Sequence, residues 1–147
     1  MYQIKTLLNI EDMLPHFSLI QQLGYTYNIN QYKAYLEEMI PSGYRQMAVF
    51  VGEDCIAVAG YWFQTRLYCG KYVELDNVVV SSNYRSQGIG QLLCQAIEEE
   101  GQKNGCRVSN LNAYVSNSGA HRFYIKEGYR ILGFHFTKQL IHEEKIN

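Results

Sequence analysis

Prolines are scarce in this chain. Only Pro15 and Pro41 occur in 147 residues, and no linker, repeat or low-complexity stretch is visible. Charge of one sign is not in excess: 13 Lys+Arg against 14 Asp+Glu give a net charge of -1. A broad basic face for a nucleic-acid backbone is therefore not expected. No apolar run approaches the roughly 18–20 residues that cross a bilayer. The start, Met1-Tyr2-Gln3-Ile4-Lys5, lacks the basic-then-apolar layout of a signal peptide. A cytoplasmic protein with no membrane partner is the expectation. Four cysteines, Cys55, Cys69, Cys94 and Cys106, show no CxxC spacing. His16, His121, His135 and His142 form no HExxH pattern. Neither a zinc site nor a disulfide framework follows, so reduced thiols and no metal are expected.

What is present is core material. Hydrophobic residues make up 47% and charged residues 18%, which excludes a disordered chain. The length suits one domain over residues 1–147. Residues around Ile4 read as a first strand. Asn9 with Asp12 three residues on reads as a helix N-cap. Leu14, Phe17 and Ile20 then share a helical face, with Gly24 as its end and Pro15 as a poor fit inside it. Tyr32, Tyr35, Leu36 and Met39 follow a second helical stripe stopped by Pro41. Met47–Val51 and Cys55–Gln64, joined by Gly52-Glu53-Asp54, read as a hairpin. Tyr72–Val80 is a strand whose apolar end, Val78-Val79-Val80, suits a central position. A helix then carries Ile89, Leu92, Leu93, Ala96 and Ile97 on one face. Arg107–Ala113 is a further strand, and Asn117 or Ser118 caps a short helix ended by Gly128. Tyr129–Lys138 reads as the last strand and His142–Asn147 as a frayed tail. The order predicts an α/β (α+β) architecture, a mixed sheet covered by helices.

The chemical signal lies between the apolar strand and the helix after it. There the chain reads Arg85-Ser86-Gln87-Gly88-Ile89-Gly90-Gln91. First-turn amides of a helix have no intrahelical partners and sit at the positive end of its dipole. Glycines let a phosphate approach that backbone, and Arg85 adds a delocalised cation. The pattern makes a pyrophosphate cradle. It is not a Walker A loop, since Gln91 follows Gly90. It is not a dinucleotide fingerprint either, since position 93 is Leu and the next strand runs into Asn112 rather than an acidic residue.

Arg85–Gly90 resembles the acetyl-CoA pyrophosphate motif, Arg/Gln-x-x-Gly-x-Gly/Ala, of the GNAT N-acetyltransferase superfamily. Ala120-His121-Arg122-Phe123-Tyr124-Ile125-Lys126-Glu127-Gly128-Tyr129 resembles its second signature, Ala-x-x-Phe-Tyr-x-x-x-Gly-Phe/Tyr. The resemblance covers nearly the whole chain. Phe134-His135-Phe136-Thr137-Lys138 looks most like the small aminoalkylphosphonate-type acetyltransferases within the superfamily. The resemblance implies a mostly antiparallel sheet with two splayed parallel central strands, here Tyr72–Val80 and Arg107–Ala113. It implies acetyl-CoA as cosubstrate and direct transfer of acetyl to an amine. Pantetheine would lie against Val78, Val79 and Val80. Pyrophosphate would meet Arg85, Ser86, Gln87, Gly88, Ile89, Gly90 and Gln91. Asn112, Asn117, Ala120 and Phe123 would complete the cofactor contacts, and dimers are common in such families.

Catalysis needs an acid and a base. The resemblance makes Tyr124 the donor to the departing thiolate, although a core aromatic beside Phe123 is the alternative. A lysine-like amine has a pKa near ~10.4 and must lose a proton before attack. Glu74 matches a glutamate that acts through water, and Asp76 shares its strand face unless a bulge intervenes. Glu74 ranks first and Asp76 close behind. Tyr25, Tyr27, Tyr32, Tyr35 and Tyr44 could enclose a small acceptor site or simply fill the core. A phosphonate acceptor would require cations, with Arg45, Arg66, Lys71 and His135 as candidates by residue type. A small primary amine is the leading acceptor; a protein lysine or N-terminus, and a non-catalytic CoA sensor, are the alternatives.

Overall fold

Short apolar runs bounded by glycine turns build the sheet. The computed structural model describes residues 1–141, so the tail His142–Asn147 lies outside the described residues. The chain forms two compact units, Met1–Leu111 and Asn112–Asn147. The first holds a five-stranded sheet in the order β1 (Gln3–Leu7), β2 (Tyr44–Val51), β3 (Asp54–Arg66), β4 (Gly70–Val80), β5 (Val108–Leu111). Three pairings are antiparallel and β4–β5 is parallel. The expected mixed, mostly antiparallel sheet is therefore present.

Alternation along the strands gives the sheet two apolar faces. One packs Tyr44, Ala48 and Phe50 of β2, Val58 of β3 and Val79 of β4 against the N-terminal helices. Those helices are α1 (Ile10–Met13), α2 (Phe17–Gln21) and α3 (Ile29–Met39). They contribute Met13, Phe17, Leu19, Ile20, Tyr32 and Leu36 to the same cluster. The other face receives α4 (Ile89–Lys103), which buries Ile89, Leu93, Cys94 and Ile97. Asn9 caps α1 by accepting from Asp12 N at 3.0 Å, as its position predicts. Pro15 divides the single helix expected across it. It lacks an N–H to donate, and Leu14–His16 tightens into a 3-10 turn between α1 and α2.

β4 is the element that positions the site. It pairs with β3 along nearly its whole length, from Gly70 opposite Arg66 to Val80 opposite Ala57. It pairs with β5 only from Tyr72 to Leu75. Among the described residues, Asp76–Val80 has no strand on that side. The parallel pairing stops midway along β4 because β5 itself ends at Leu111. Near the same point Asn77 and Val78 together face Ala59, because Asp76 pairs with Gly60 and Val79 with Val58. This β-bulge puts Asn77 in the left-handed region at φ 53, a conformation asparagine tolerates better than most residues.

The second unit contains α5 (Ser118–Lys126), capped by Asn117 Oδ1, which accepts from Ala120 N at 3.1 Å. Gly128 follows at φ 98, the left-handed stop its type predicts. The strand expected at Tyr129–Lys138 is not formed. A strand exists only where a partner backbone takes up its amides and carbonyls, and no ladder engages residues 129–141 here. Ile131, Phe134 and Phe136 of this stretch are exposed.

Gly60 links the bulge to the core. A Cβ there would lie 2.3 Å from the Tyr44 hydroxyl oxygen and 2.7 Å from Cε1 of its ring. Tyr44 is itself buried and cannot retreat to solvent. We expect Gly60→Ala to destabilise the fold by roughly 1–3 kcal/mol, the usual cost of overpacking. A denaturant melt would show it as a lower midpoint at unchanged slope.

Candidate active site

Where β4 loses its second partner, its side chains meet a small cavity. The space is about 150 Å³. Its wall is aromatic: Tyr25, Tyr27, Tyr32, Tyr35 and Tyr44 all line it. Ile20, Leu36 and Met39 add an apolar side, and Asp76 and Asn77 supply the polar one. The segment after α2 and the helix α3 thus bring their tyrosines onto the bulged part of β4. Tyr27 is held by stacking on Tyr25 at 5.2 Å and on Phe17 at 6.3 Å between centroids.

A buried polar network fixes the floor. Gln46 is fully buried on β2, and its Nε2 donates to the hydroxyls of Tyr32 at 2.8 Å and Tyr44 at 3.2 Å. The Tyr44 hydroxyl donates to Asn77 Oδ1 at 3.3 Å, and Asn77 Nδ2 donates to the Tyr25 hydroxyl at 2.9 Å. Sequence reasoning singled out neither Gln46 nor Asn77. A glutamine beside an apolar run gives no sign that it serves tyrosines from another helix. An asparagine in a strand gives only the faint hint of a left-handed position.

Asp76 is the acidic group of the cavity. Its Oδ2 accepts from Trp62 Nε1 at 3.2 Å. Burial pushes its carboxyl above the usual carboxylate range, and the Trp62 bond opposes that only in part. Glu74 lies two residues back on the same strand face, opposite Trp62. It does not line the cavity, so the two candidate bases are distinguished by position. Burial raises Tyr27 to about 12, so its phenol stays neutral near pH 7.

The far end of β4 leads into the glycine loop. Ser81 N donates to Ile56 O at 2.8 Å, and Ser82–Tyr84 makes one 3-10 turn. Arg85 Nε donates to the Val80 carbonyl at 3.3 Å, which ties the guanidinium to the strand end. Ser86 at φ 62 and Gly88 at φ 80 both take left-handed backbone. Gly88 is the N-cap of α4, and no side chain caps the helix. A Cβ at Gly88 would meet no protein atom within 4 Å, so open space lies over it. Gln87 bridges outward, accepting from the Tyr2 hydroxyl at 2.9 Å. Uncapped amides, a positive dipole end and an adjacent arginine fit a pyrophosphate group. Ile89 is buried and anchors the first turn, while Val79 faces the core and Val78 and Val80 are half-buried.

In the second unit, Tyr124 lies on α5 and meets Phe123 and Tyr129 edge-on at 5.1 and 5.6 Å. Asn112 is exposed, Ala120 is half-buried, and Asn117 spends its Oδ1 on the helix cap. Of the cations considered for a phosphonate, Arg45, Arg66 and Lys71 do not line the cavity. Arg45 lies 3.8 Å from Glu100 Oε1 and over the Phe63 ring at 5.0 Å. Lys71 also lies over Phe63, at 5.7 Å. Arg66 Nε donates to the Tyr72 hydroxyl at 2.8 Å, and His135 belongs to the second unit. Among the described residues no group of three or more His, Cys, Asp or Glu could hold a metal. None of their helices is long and apolar enough to cross a membrane.

Comparison with known proteins bears on the fold and the family. Over 101 residues, 68% of this chain, the sequence is 32% identical to the aminoalkylphosphonate N-acetyltransferase of Salmonella typhimurium (strain LT2). That match spans 65% of the relative's length. Among solved structures, glucosamine-6-phosphate N-acetyltransferase from Arabidopsis thaliana aligns with a TM-score of 0.75 at 21% identity, over 96% of this chain and 99% of that one. An aminoglycoside N-acetyltransferase in complex with CoA aligns with a TM-score of 0.80 at 17% identity, over 96% and 97% of the two chains. At such identities the structural matches speak for the fold. The family profile described as Acetyltransferase (GNAT) family matches residues 11–129. With most of its length inside that match, the chain belongs to the acetyltransferase (GNAT) family.

Proposed function

We propose that this protein transfers acetyl from acetyl-CoA directly to the primary amine of a small molecule. The observation that carries the reading is the run of β4. One strand lines a tyrosine cavity with Asp76, has among the described residues no strand paired beyond Leu75 on its β5 side, and leads through a short loop to an uncapped helix N-terminus. A cavity of about 150 Å³ favours a small molecule over a peptide segment. The cytoplasmic setting inferred from the sequence belongs to the same proposal.

In this reading the first-turn amides of α4 and the Arg85 guanidinium hold the pyrophosphate, and the β4 edge from Val78 to Val80 lies along the pantetheine arm. Bound acetyl-CoA supplies an activated thioester and a thiolate leaving group. Asp76, ahead of Glu74, takes the proton that the incoming ammonium must lose. Its raised pKa makes it a stronger base than an ordinary carboxylate. Tyr124 gives its hydroxyl proton to the departing sulfur. The hydroxyl, with a pKa near ~10, can supply a thiolate whose thiol has a pKa near ~8.5 only while held within hydrogen-bond reach.

Two outcomes test these roles. Tyr124→Phe should slow amine-dependent thiol release about 10²-fold, in the range of lost general-acid catalysis, with acetyl-CoA affinity unchanged by calorimetry. Equal rates would remove Tyr124 from the chemistry. Asp76→Asn should lower turnover by a similar factor while making the fold more stable at neutral pH. The sign follows from linkage. A carboxyl raised in the native state binds more protons folded than unfolded, so its contribution is full below the unfolded pKa and is lost as pH rises through the folded one. The stability gain of the variant should therefore be largest near pH 7 and shrink toward pH 3, as read from denaturant midpoints.

A further inference from the structure

Asp76 and Asn77 are consecutive on β4, yet both line the cavity. In a regular strand consecutive side chains point to opposite faces. The bulge opposite Ala59 breaks that alternation and turns Asn77 onto the side of Asp76. There its side-chain amide is held at both ends. Gln46 Nε2 donates to the Tyr44 hydroxyl at 3.2 Å, that hydroxyl donates to Asn77 Oδ1 at 3.3 Å, and Asn77 Nδ2 donates to the Tyr25 hydroxyl at 2.9 Å. Every donor points the same way along this line, which runs from a fully buried glutamine on β2 to the bulge. Gly60, the partner of Asp76 on β3, leaves the space that the Tyr44 hydroxyl occupies.

The line ends on the carboxylate. The backbone N–H of Asn77 donates to Asp76, and Trp62 Nε1 donates to Asp76 Oδ2 at 3.2 Å. Tyr44 supports both donors, since its ring also packs on that of Trp62 with centroids 5.0 Å apart. At φ 53 a glycine would cost less backbone energy than asparagine. What asparagine adds there is a side chain that ties the bulge to Tyr44 and Tyr25. We propose that Asn77 is the positioning residue of this site: its side chain, locked by Tyr44 and Tyr25, sets the bulge so that its own backbone N–H and Trp62 hold the Asp76 carboxylate in one orientation. The proposal rests on the acetyltransferase reading with Asp76 as base, and it assigns the group that aims that base.

The test uses the full chain and Asn77→Gly. Glycine takes φ 53 without strain, so the side chain goes while the backbone angle is still allowed. Circular dichroism and a denaturant midpoint would check that the variant folds. Thiol release would be followed with butylamine, 1,4-diaminobutane and 2-aminoethylphosphonate as acceptors. The proposal expects kcat to fall roughly 10- to 100-fold, as for a catalytic group out of line, with acetyl-CoA affinity by calorimetry unchanged. Trp62 is the one tryptophan of the chain, so its indole N–H gives a single NMR resonance. Asp76→Asn should move that resonance upfield, as a weakened hydrogen bond requires, and Asn77→Gly should move it the same way. A cycle with Tyr44→Phe should be non-additive: the double variant turns over no slower than Asn77→Gly alone, because the hydroxyl works through the amide.

Unchanged kcat in folded Asn77→Gly would overturn the proposal, whether or not the indole moves. So would an unmoved indole resonance, or a loss of acetyl-CoA affinity that matches the loss of kcat and marks a general distortion of β4. Losses that multiply independently with Tyr44→Phe would overturn the line from Tyr44 to the carboxylate. Thiol release on no amine by the wild-type chain would overturn the acetyltransferase reading instead, and the indole resonance would still decide whether Asn77 holds Asp76.

Discussion

β4 keeps its ladder with β3 to Val80 but shares only Tyr72–Leu75 with β5. Backbone amides and carbonyls seek partners, and a strand edge left without a neighbouring strand is a template for an extended ligand. The same few residues carry the bulge at Asn77, which turns the strand where pairing with β5 stops. From that point the chain needs only three valines to reach Ser81 and the glycine loop. The cavity, the open edge and the uncapped helix thus follow one another along a single strand. Their order does not depend on a long loop, which gives the site a rigid frame.

Stability is spent at this spot for function. Asp76 is pushed above the carboxylate range because it is withdrawn from water, which the hydrogen bonds from Trp62 Nε1 and the Asn77 backbone offset only in part. Gln46 is fully buried and uses its Nε2 to fix two tyrosines, while its Oε1 has no partner among the described residues. An apolar residue at either place would relieve a desolvation cost of about 1–3 kcal/mol. Asn77 holds a left-handed backbone angle that a glycine would accept more readily. Elsewhere in the sheet Ala48, Val49, Ala57, Val58 and Ala59 are all fully buried and apolar.

The sequence made some of this plain through local rules. Asn9 and Asn117 announce their caps, and Gly24 and Gly128 take the left-handed angles their positions call for. Arg85–Gly90 falls between strand and helix, as its residue types require. The tyrosines from Tyr25 to Tyr44 were legible as a group, and all five line one cavity. What stayed hidden is tertiary. Glu74 and Asp76 are equivalent by spacing, and only the packing of α3 and its preceding segment separates them. Asn77 became a bulge because Ala59 lies alone opposite two residues, a fact held by β3 as much as by β4. Pro15 split a helix whose apolar period runs through it. Tyr129–Lys138 alternates like a strand, yet alternation cannot supply the partner that a ladder demands.

Acetyl-CoA binding by titration calorimetry tests the central claim most directly, because cavity, edge and loop form a single path only if one molecule occupies it. The account predicts saturable binding of about one acetyl-CoA per chain, weakened by Gly88→Ala, whose added methyl group enters the open space above the α4 amides. No binding by the folded wild-type chain, or binding indifferent to Gly88, would contradict it.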